Sequence, residues 1–127
     1  MLIRTFRDLT IHQRAHAIAM EVFEISKRFP SEEKFSLIDQ VRRSSRSVAV
    51  NIAEAWGKRR YPASFVSKLT DSEAEALETQ AWLMFAIDCK YLQEVGGRQL
   101  IDQYEELVRS IANVANHPKD WCFPKQL

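Results

Sequence analysis

Gln40 to Arg60 reads QVRRSSRSVAVNIAEAWGKRR, and the spacing within this stretch decides the fold. Leu37, Val41, Ser45 (or Ser44), Val48, Ile52 and Ala55 alternate steps of four and three, a single seam along a helix that ends near Trp56. The rest of its surface is not that of a solvated helix. At about 100° per residue, Arg42, Arg46, Ala49 and Ala53 share a face about 100° from the seam, with Val50 further round. Small and apolar residues, where Lys, Glu and Gln would be ordinary, predict a second packed face. Gly57 to Tyr61 reads as a turn, and Pro62 suits the first position of the next helix.

The same spacing extends outward in both directions. Upstream, Ile11, Ala15, Ile18, Val22, Ile25 and Phe29 predict a first helix from a Thr10 cap to about Arg28, stopped by Pro30. Ser31-Glu32-Glu33 then offers a polar, acidic start for the second helix, at Ser31 or Lys34. Residues 1–9 carry Leu2, Ile3, Phe6 and Leu9 without a period, an arm expected to pack on the body or on a neighbouring subunit. Downstream, a long third helix from Pro62 to about Tyr91 places Phe65, Val66, Leu69, Ala76, Leu77, Leu83, Met84, Ile87 and Tyr91 on one stripe. Glu73 and Gln80 fall in or beside that stripe, and Trp82, Phe85, Ala86 and Cys89 lie on the far side. Gly96-Gly97 reads as the break before a fourth helix, about Arg98 to Asn116. Its seam is Leu100 or Ile101, Tyr104, Leu107 or Val108, Ile111, and Val114 or Ala115. Pro118 closes that helix, and the tail 117–127 is apolar for a free end, with Trp121 and Phe123. Four amphipathic segments with short connections predict an all-α, up-down-up-down antiparallel four-helix bundle, one domain over 1–127. No alternating strand pattern competes.

Composition agrees. The chain has 127 residues, 46% hydrophobic, with three glycines and four prolines, which favours long elements over a disordered chain. The formal net charge is +1, so no global field draws the protein to nucleic acid or membrane, and any electrostatic function must come from distribution. The N-terminus is too short and too charged for a signal peptide, and no apolar run approaches the roughly 20 residues of a membrane span. A cytoplasmic location with Cys89 and Cys122 as free thiols is expected.

Catalytic patterns are weak, and no enzyme, cofactor or metal is expected. A di-metal carboxylate bundle needs Glu-x-x-His pairs on two helices. His12 and His16 share a face, but Gln13, Arg14 and Ala15 separate them and no glutamate stands between to act as a base. A metal site using His12, His16 and inward Glu73 is a distant reading. Neither cysteine has a nucleophile's sequence context, and no glycine-rich phosphate loop exists.

Charge is more informative. Between Arg42 and Arg60 stand Arg42, Arg43, Arg46, Lys58, Arg59 and Arg60 against Glu54 alone. The third helix supplies Asp71, Glu73, Glu75, Glu78 and Asp88 against Lys68. Antiparallel helices about the turn near residues 58–61 would bring Arg42 near Glu78 and Arg46 near Glu73 or Glu75. That splits the basic set. Arg42, Arg43 and Arg46 are expected to meet acids within or between subunits, orienting helices more than stabilising them. Lys58, Arg59 and Arg60 have no nearby acid and are expected to be free for an anion, with Tyr61 beside them able to stack on a base.

Several motifs carry a resemblance. Gln13 and Ala15, Phe29-Pro30, Gln40-Val41-Arg42-Arg43, Asn51-Ile52-Ala53-Glu54, Leu77-Glu78-Thr79-Gln80 and Tyr91-Leu92 resemble the small bacterial proteins first described as encoded in intervening sequences of 23S ribosomal RNA genes. The similarity covers nearly the whole chain. It departs at His12, where Trp is frequent, and at Ala55, where Gly is common. The resemblance implies an up-down four-helix bundle that assembles into a pentameric ring. Some relatives are accessory proteins of diversity-generating retroelement reverse transcriptases and bind nucleic acid through a basic surface. Those relatives are more basic than +1, so that role is not carried over.

The functional expectation is a non-enzymatic homo-oligomer that buries Ala49, Ala53, Trp82 and Phe85 between subunits. It would bind RNA or DNA through Lys58, Arg59 and Arg60, and through Arg42, Arg43 and Arg46 where acids leave them free. The alternative is a protein-interaction scaffold for a partner of unknown identity.

Overall fold

Each helix of this chain ends where a backbone group finds a local partner, and those ends fix the corners. The computed structural model describes residues 2–124; Met1 of the expected arm and residues 125–127 of the expected tail lie outside them. The arm is capped: Thr5 Oγ1 accepts from the N–H of Arg7 at 3.2 Å, while Asp8 Oδ2 accepts from the N–H groups of Arg4 at 2.8 Å and Thr5 at 3.1 Å. This closes a 3-10 turn, Phe6–Asp8, which packs on the first two helices of its own chain, with Leu9 buried beside it. Helix α1, Thr10–Ser26, therefore begins at Thr10 itself, with Leu9 in the cap position.

Helix α2, Leu37–Gly57, starts later than Ser31 or Lys34. Ser31–Glu33 is a separate 3-10 turn, and Ser36 (φ −125°, ψ −99°) lies outside helical geometry. The Glu33 carboxylate reaches forward to cap α2. It accepts from the Leu37 N–H at 3.4 Å, from the Ser36 hydroxyl at 2.5 Å and from the Tyr91 hydroxyl at 3.0 Å.

Helix α3, Pro62–Asp88, ends before Tyr91 because Lys90 turns left-handed, with φ 67°. The Lys90 N–H donates to Ile87 O at 3.0 Å and the Tyr91 N–H to Ala86 O at 2.9 Å, the two bonds of a Schellman ending. Helix α4, Glu94–Ala115, then begins before the glycine pair, so Gly96-Gly97 is not the break it resembles. Gly97 serves close approach instead: a Cβ there would lie 2.6 Å from Ile87 Cδ1 and 3.1 Å from Leu92 Cδ2.

The helices pack in order, α1 on α2, α2 on α3, α3 on α4 and α4 back on α1. Along α2 and α3, Arg43 meets Glu78, Ser44 meets Thr79, Val48 meets Ser72 and Asn51 meets Lys68, so the two run antiparallel. Ser26 meets Arg42, Gln80 meets Ile101, and Arg14 meets Ser110, which makes the other neighbours antiparallel too. The molecule is an up-down-up-down four-helix bundle.

Its core follows the expected seams on α1, α2 and α4. On α3 the expected stripe holds at Phe65, Leu69, Ala76, Leu83 and Ile87, but Ser72, Thr79 and Ala86 complete the buried seam in place of Leu77 and Met84. Leu77 and Met84 are 52% and 51% exposed. Ser72 and Thr79 are small enough to let α2 and α3 close, and both are satisfied, Ser72 Oγ donating to Val48 O at 2.7 Å and the Thr79 hydroxyl lying 2.8 Å from that of Ser44. Glu73 and Gln80 sit at the margin; Gln80 Nε2 donates to Ile101 O at 3.0 Å, and burial raises the Glu73 pKa. Tyr104 is fully buried, and among the described residues its hydroxyl has no hydrogen-bond partner. None of the described helices is long and apolar enough to cross a membrane.

Two outcomes follow for stability. Gly97→Ala should lower it by about 1–2 kcal/mol, overpacking against Ile87 outweighing the helix propensity gained. Gly96→Ala, with nothing within 4 Å of the new Cβ, should raise it by up to about 1 kcal/mol; thermal denaturation of both variants separates the two glycines. The hydrogen bonds from Ser36 and Tyr91 hold the Glu33 carboxyl below its ordinary 4.5. In acid the unfolded chain protonates Glu33 first, so its contribution is complete above about pH 4.5 and is lost as pH falls through the folded-state value. Melting temperatures between about pH 6 and pH 3 should therefore fall less steeply in Glu33→Gln than in the parent chain.

Candidate nucleic-acid interface

The basic turn after α2 is built by two backbone hydrogen bonds, Lys58 N–H to Ala55 O and Tyr61 N–H to Lys58 O, both 2.9 Å. It places Lys58, Arg60 and Tyr61 in solvent. Arg59 behaves otherwise. Its Nε donates to Trp56 O at 2.8 Å, and its guanidinium lies 3.4 Å from the Trp56 ring centroid and 4.7 Å from that of Phe123. The Phe123 N–H in turn donates to Arg59 O at 3.1 Å. Arg59 is thus not free for an anion: it clamps the C-terminal segment onto the turn, and desolvation lowers its pKa. The tail residues Trp121 and Phe123 that look apolar for a free end are held in this way or packed against the core.

The arginines of the first half of α2 also sort differently from expectation. Arg43, not Arg42 or Arg46, takes the α3 acids, bonding Glu75 at 3.2 Å and Glu78 as well. Glu78 also accepts from Trp82 Nε1 at 3.0 Å. The antiparallel register is as expected, but one residue is about 100° of rotation, and that turns Arg42 toward α1. Arg42 Nε donates to Ser26 Oγ at 2.8 Å, and the Arg42 and Arg46 guanidinium groups lie 4.7 Å and 5.8 Å from the Phe23 ring. Among the described residues neither has a carboxylate partner. They line an open groove of about 700 Å³ with Phe35, Ile38 and Val50.

Charge separates along the bundle axis, a feature no single segment reveals. The N-terminal arm, the α2–α3 turn and the segment after α4 meet at one end. That end carries Arg4, Arg7, Lys58, Arg59, Arg60 and Lys119 against Asp8 and Asp120. Asp8 is itself occupied by the arm's backbone amides. The opposite end holds Lys27, Arg28, Lys34, Lys90 and Arg98 against Glu24, Glu32, Glu33, Asp39, Asp88 and Glu94, a nearly balanced set.

The expected assembly residues are scattered. Ala49 is already buried within the chain, Ala53 and Trp82 are half-buried, and Phe85 is 57% exposed. The arm helps cover the second face of α2, since Phe6 lines the same groove as Ala49 and Ala53. Exposed apolar surface falls instead on α3, at Leu77, Met84 and Phe85, and on the α1–α2 side, at Met20 and Val50. His12 and His16, rings 6.1 Å apart, line that groove, with Phe6 edge-on to His12 at 4.7 Å. Glu54 lies in the groove but pairs with Lys68 at 3.1 Å, and among the described residues no three His, Cys, Asp or Glu side chains come together as metal ligands. Desolvation lowers the His12 pKa, with His16 and Arg7 adding to the effect.

Fold and site together define a four-helix bundle with an excess of cations over acids at one end. The chain belongs to the family of 23S rRNA-intervening sequence proteins, whose model matches residues 7–113. Among solved structures it is similar to a Bacteroides thetaiotaomicron protein of unknown function from the S23 ribosomal protein family. The TM-score is 0.75 at 24% identity, covering 84% of this chain and 98% of that one, a likeness of fold. No curated protein matches the chain.

The clamp has a direct test. Arg59→Ala should speed amide hydrogen exchange at Phe123 and cost about 0.5–2 kcal/mol of stability. Arg59→Lys should recover little, because an ammonium cannot lie flat between two rings.

Proposed function

We propose that this chain is a non-enzymatic, homo-oligomeric bundle that binds RNA or DNA through the basic end. The observation that carries the reading is the set of exposed cations there, Lys58, Arg60, Arg4, Arg7 and Lys119, which have no carboxylate partner among the described residues. Cations left in water without acids are disposed for phosphate, and the near-neutral net charge is no obstacle, because association depends on the local field. Assembly is supported by exposed Leu77, Met84 and Phe85 on one side and Met20 and Val50 on another. Two different faces suit a heterologous, ring-closing contact, and the pentamer number is implied by the family resemblance alone. A ring would repeat each weak site and add its contacts through multivalency.

A second reading, a scaffold for another protein, draws on the groove where Arg42 and Arg46 stand beside exposed Phe35 and Val50. It predicts a partner captured independently of nuclease treatment.

Fluorescence anisotropy against salt tests the first reading. The double variant Lys58→Glu/Arg60→Glu should weaken binding at least about tenfold at low salt and flatten the salt slope. No binding of RNA or DNA by the parent chain at low salt would overturn it. Light scattering at the monomer mass would overturn the assembly.

A further inference from the structure

Resting on the nucleic-acid reading above, we infer that the basic end takes single-stranded rather than duplex nucleic acid, with Tyr61 and Phe123 as stacking rings beside Lys58 and Arg60. Tyr61 is 62% exposed and Phe123 50%. The part of each ring left in water adds little to the fold, yet the backbone under both rings is fixed. Tyr61 donates its N–H to Lys58 O at 2.9 Å, and its own carbonyl accepts from the Phe65 N–H at 3.0 Å at the start of α3. Phe123 is tied to the same turn through Arg59 O. The backbone under neither ring needs to be ordered at the moment of binding, which lowers the entropic cost of stacking.

Trp56 does not join them, because it is half-buried with the Arg59 guanidinium 3.4 Å from its ring centroid, whereas Phe123, which meets the same guanidinium at 4.7 Å, keeps half of its surface in water. That contact also explains the interleaving of cations and rings. Arg59 is spent inside the turn, and Lys58 and Arg60 on either side of it remain for phosphates. A base offers its flat face only when it is out of a duplex, and stacking on an aromatic side chain is then nearly indifferent to sequence. Duplex recognition asks for something else: a helix or a two-stranded ribbon laid along a groove to reach base edges. At this end the helices terminate, and what projects is a short turn. The geometry matches an unpaired strand crossing the bundle end.

Anisotropy with labelled oligonucleotides of about 12 nucleotides, within the range of single-strand site sizes, decides it. The probes are an unstructured RNA, the DNA of the same sequence and the corresponding duplex. Either single strand should bind at least about fivefold more tightly than the duplex. Tyr61→Ala should weaken single-strand binding about 5- to 100-fold with the salt slope unchanged, while Tyr61→Phe retains it. Arg60→Ala should instead lower both the affinity and the slope. Tyr61 is exposed, so each variant should keep the parent's helical circular dichroism. Equal or tighter duplex binding, or single-strand binding indifferent to Tyr61→Ala, overturns the stacking inference and leaves the nucleic-acid reading standing. Failure to bind any of the three probes overturns that reading, and the inference with it.

Discussion

The close contact of α2 with α3 governs the rest of the bundle. Ser44 and Val48 face Thr79 and Ser72 and are buried with Ser45 and Ala76, so the two helices come near enough for hydroxyls to bond across. A buried hydroxyl without a partner is costly, and the Ser72 hydroxyl finds its partner, Val48 O, across the contact, whereas Thr79 also bonds Glu75 O at 2.9 Å within α3. Sliding α3 by one residue would break the Ser72 bond and the Thr79–Ser44 contact together. The polar atoms of this seam therefore fix register as well as proximity. The same register seats Arg43 on Glu75 and Glu78 and presents the turn at residues 58–61 clear of the bundle. On the surface, Arg43's pairs are worth little by themselves; they follow the register rather than set it.

That contact also explains which parts of the fold were legible in the sequence. The seams of α1, α2 and α4 are made of aliphatic residues and can be read by spacing. The α3 seam can be read only in part: Phe65, Leu69, Ala76, Leu83 and Ile87 follow the spacing, but hydrophobicity favours Leu77 and Met84 where size and hydrogen bonding favour Ser72 and Thr79. The corners misled for a related reason. Gly96-Gly97 looks like a helix end by propensity, but Gly97 is required by the proximity of Ile87, and the left-handed residue that does end α3 is Lys90. A residue's type signals backbone freedom; it does not say whether that freedom or merely the absence of a side chain is being used.

The site shows the same division. Lys58 and Arg60 could be recognised as free cations from local sequence, since no acid stands near them. Arg59 could not be set apart from them, because its second ring comes from Phe123 at the far end of the chain. Nor could the basic end, which is assembled from an arm, a turn and a tail that share no sequence neighbourhood. Within the chain, the assignment of Arg42 and Arg46 to α3 acids failed on rotation alone, with the axial register correct.

Separation of surfaces follows from the topology. Along the sides of the helices the exposed apolar residues are Leu77, Met84 and Phe85 on α3 and Met20 and Val50 on α1 and α2, with Leu2, Phe35, Tyr61, Val95 and Phe123 exposed nearer the ends, while Arg4, Arg7, Lys58, Arg60 and Lys119 lie where helices terminate. Contacts made along the sides of a bundle bury side surface and leave ends in water. In a cyclic assembly with its axis near the bundle axis, every basic end would fall on one rim, and like charges on that rim would repel. Such repulsion opposes assembly and is relieved when a polyanion bridges adjacent subunits. Polyanion binding and assembly would then reinforce each other, because each favours the arrangement in which the cations are close. A chain of net charge +1 can support this, since the coupling depends on where the cations converge rather than on how many the chain carries.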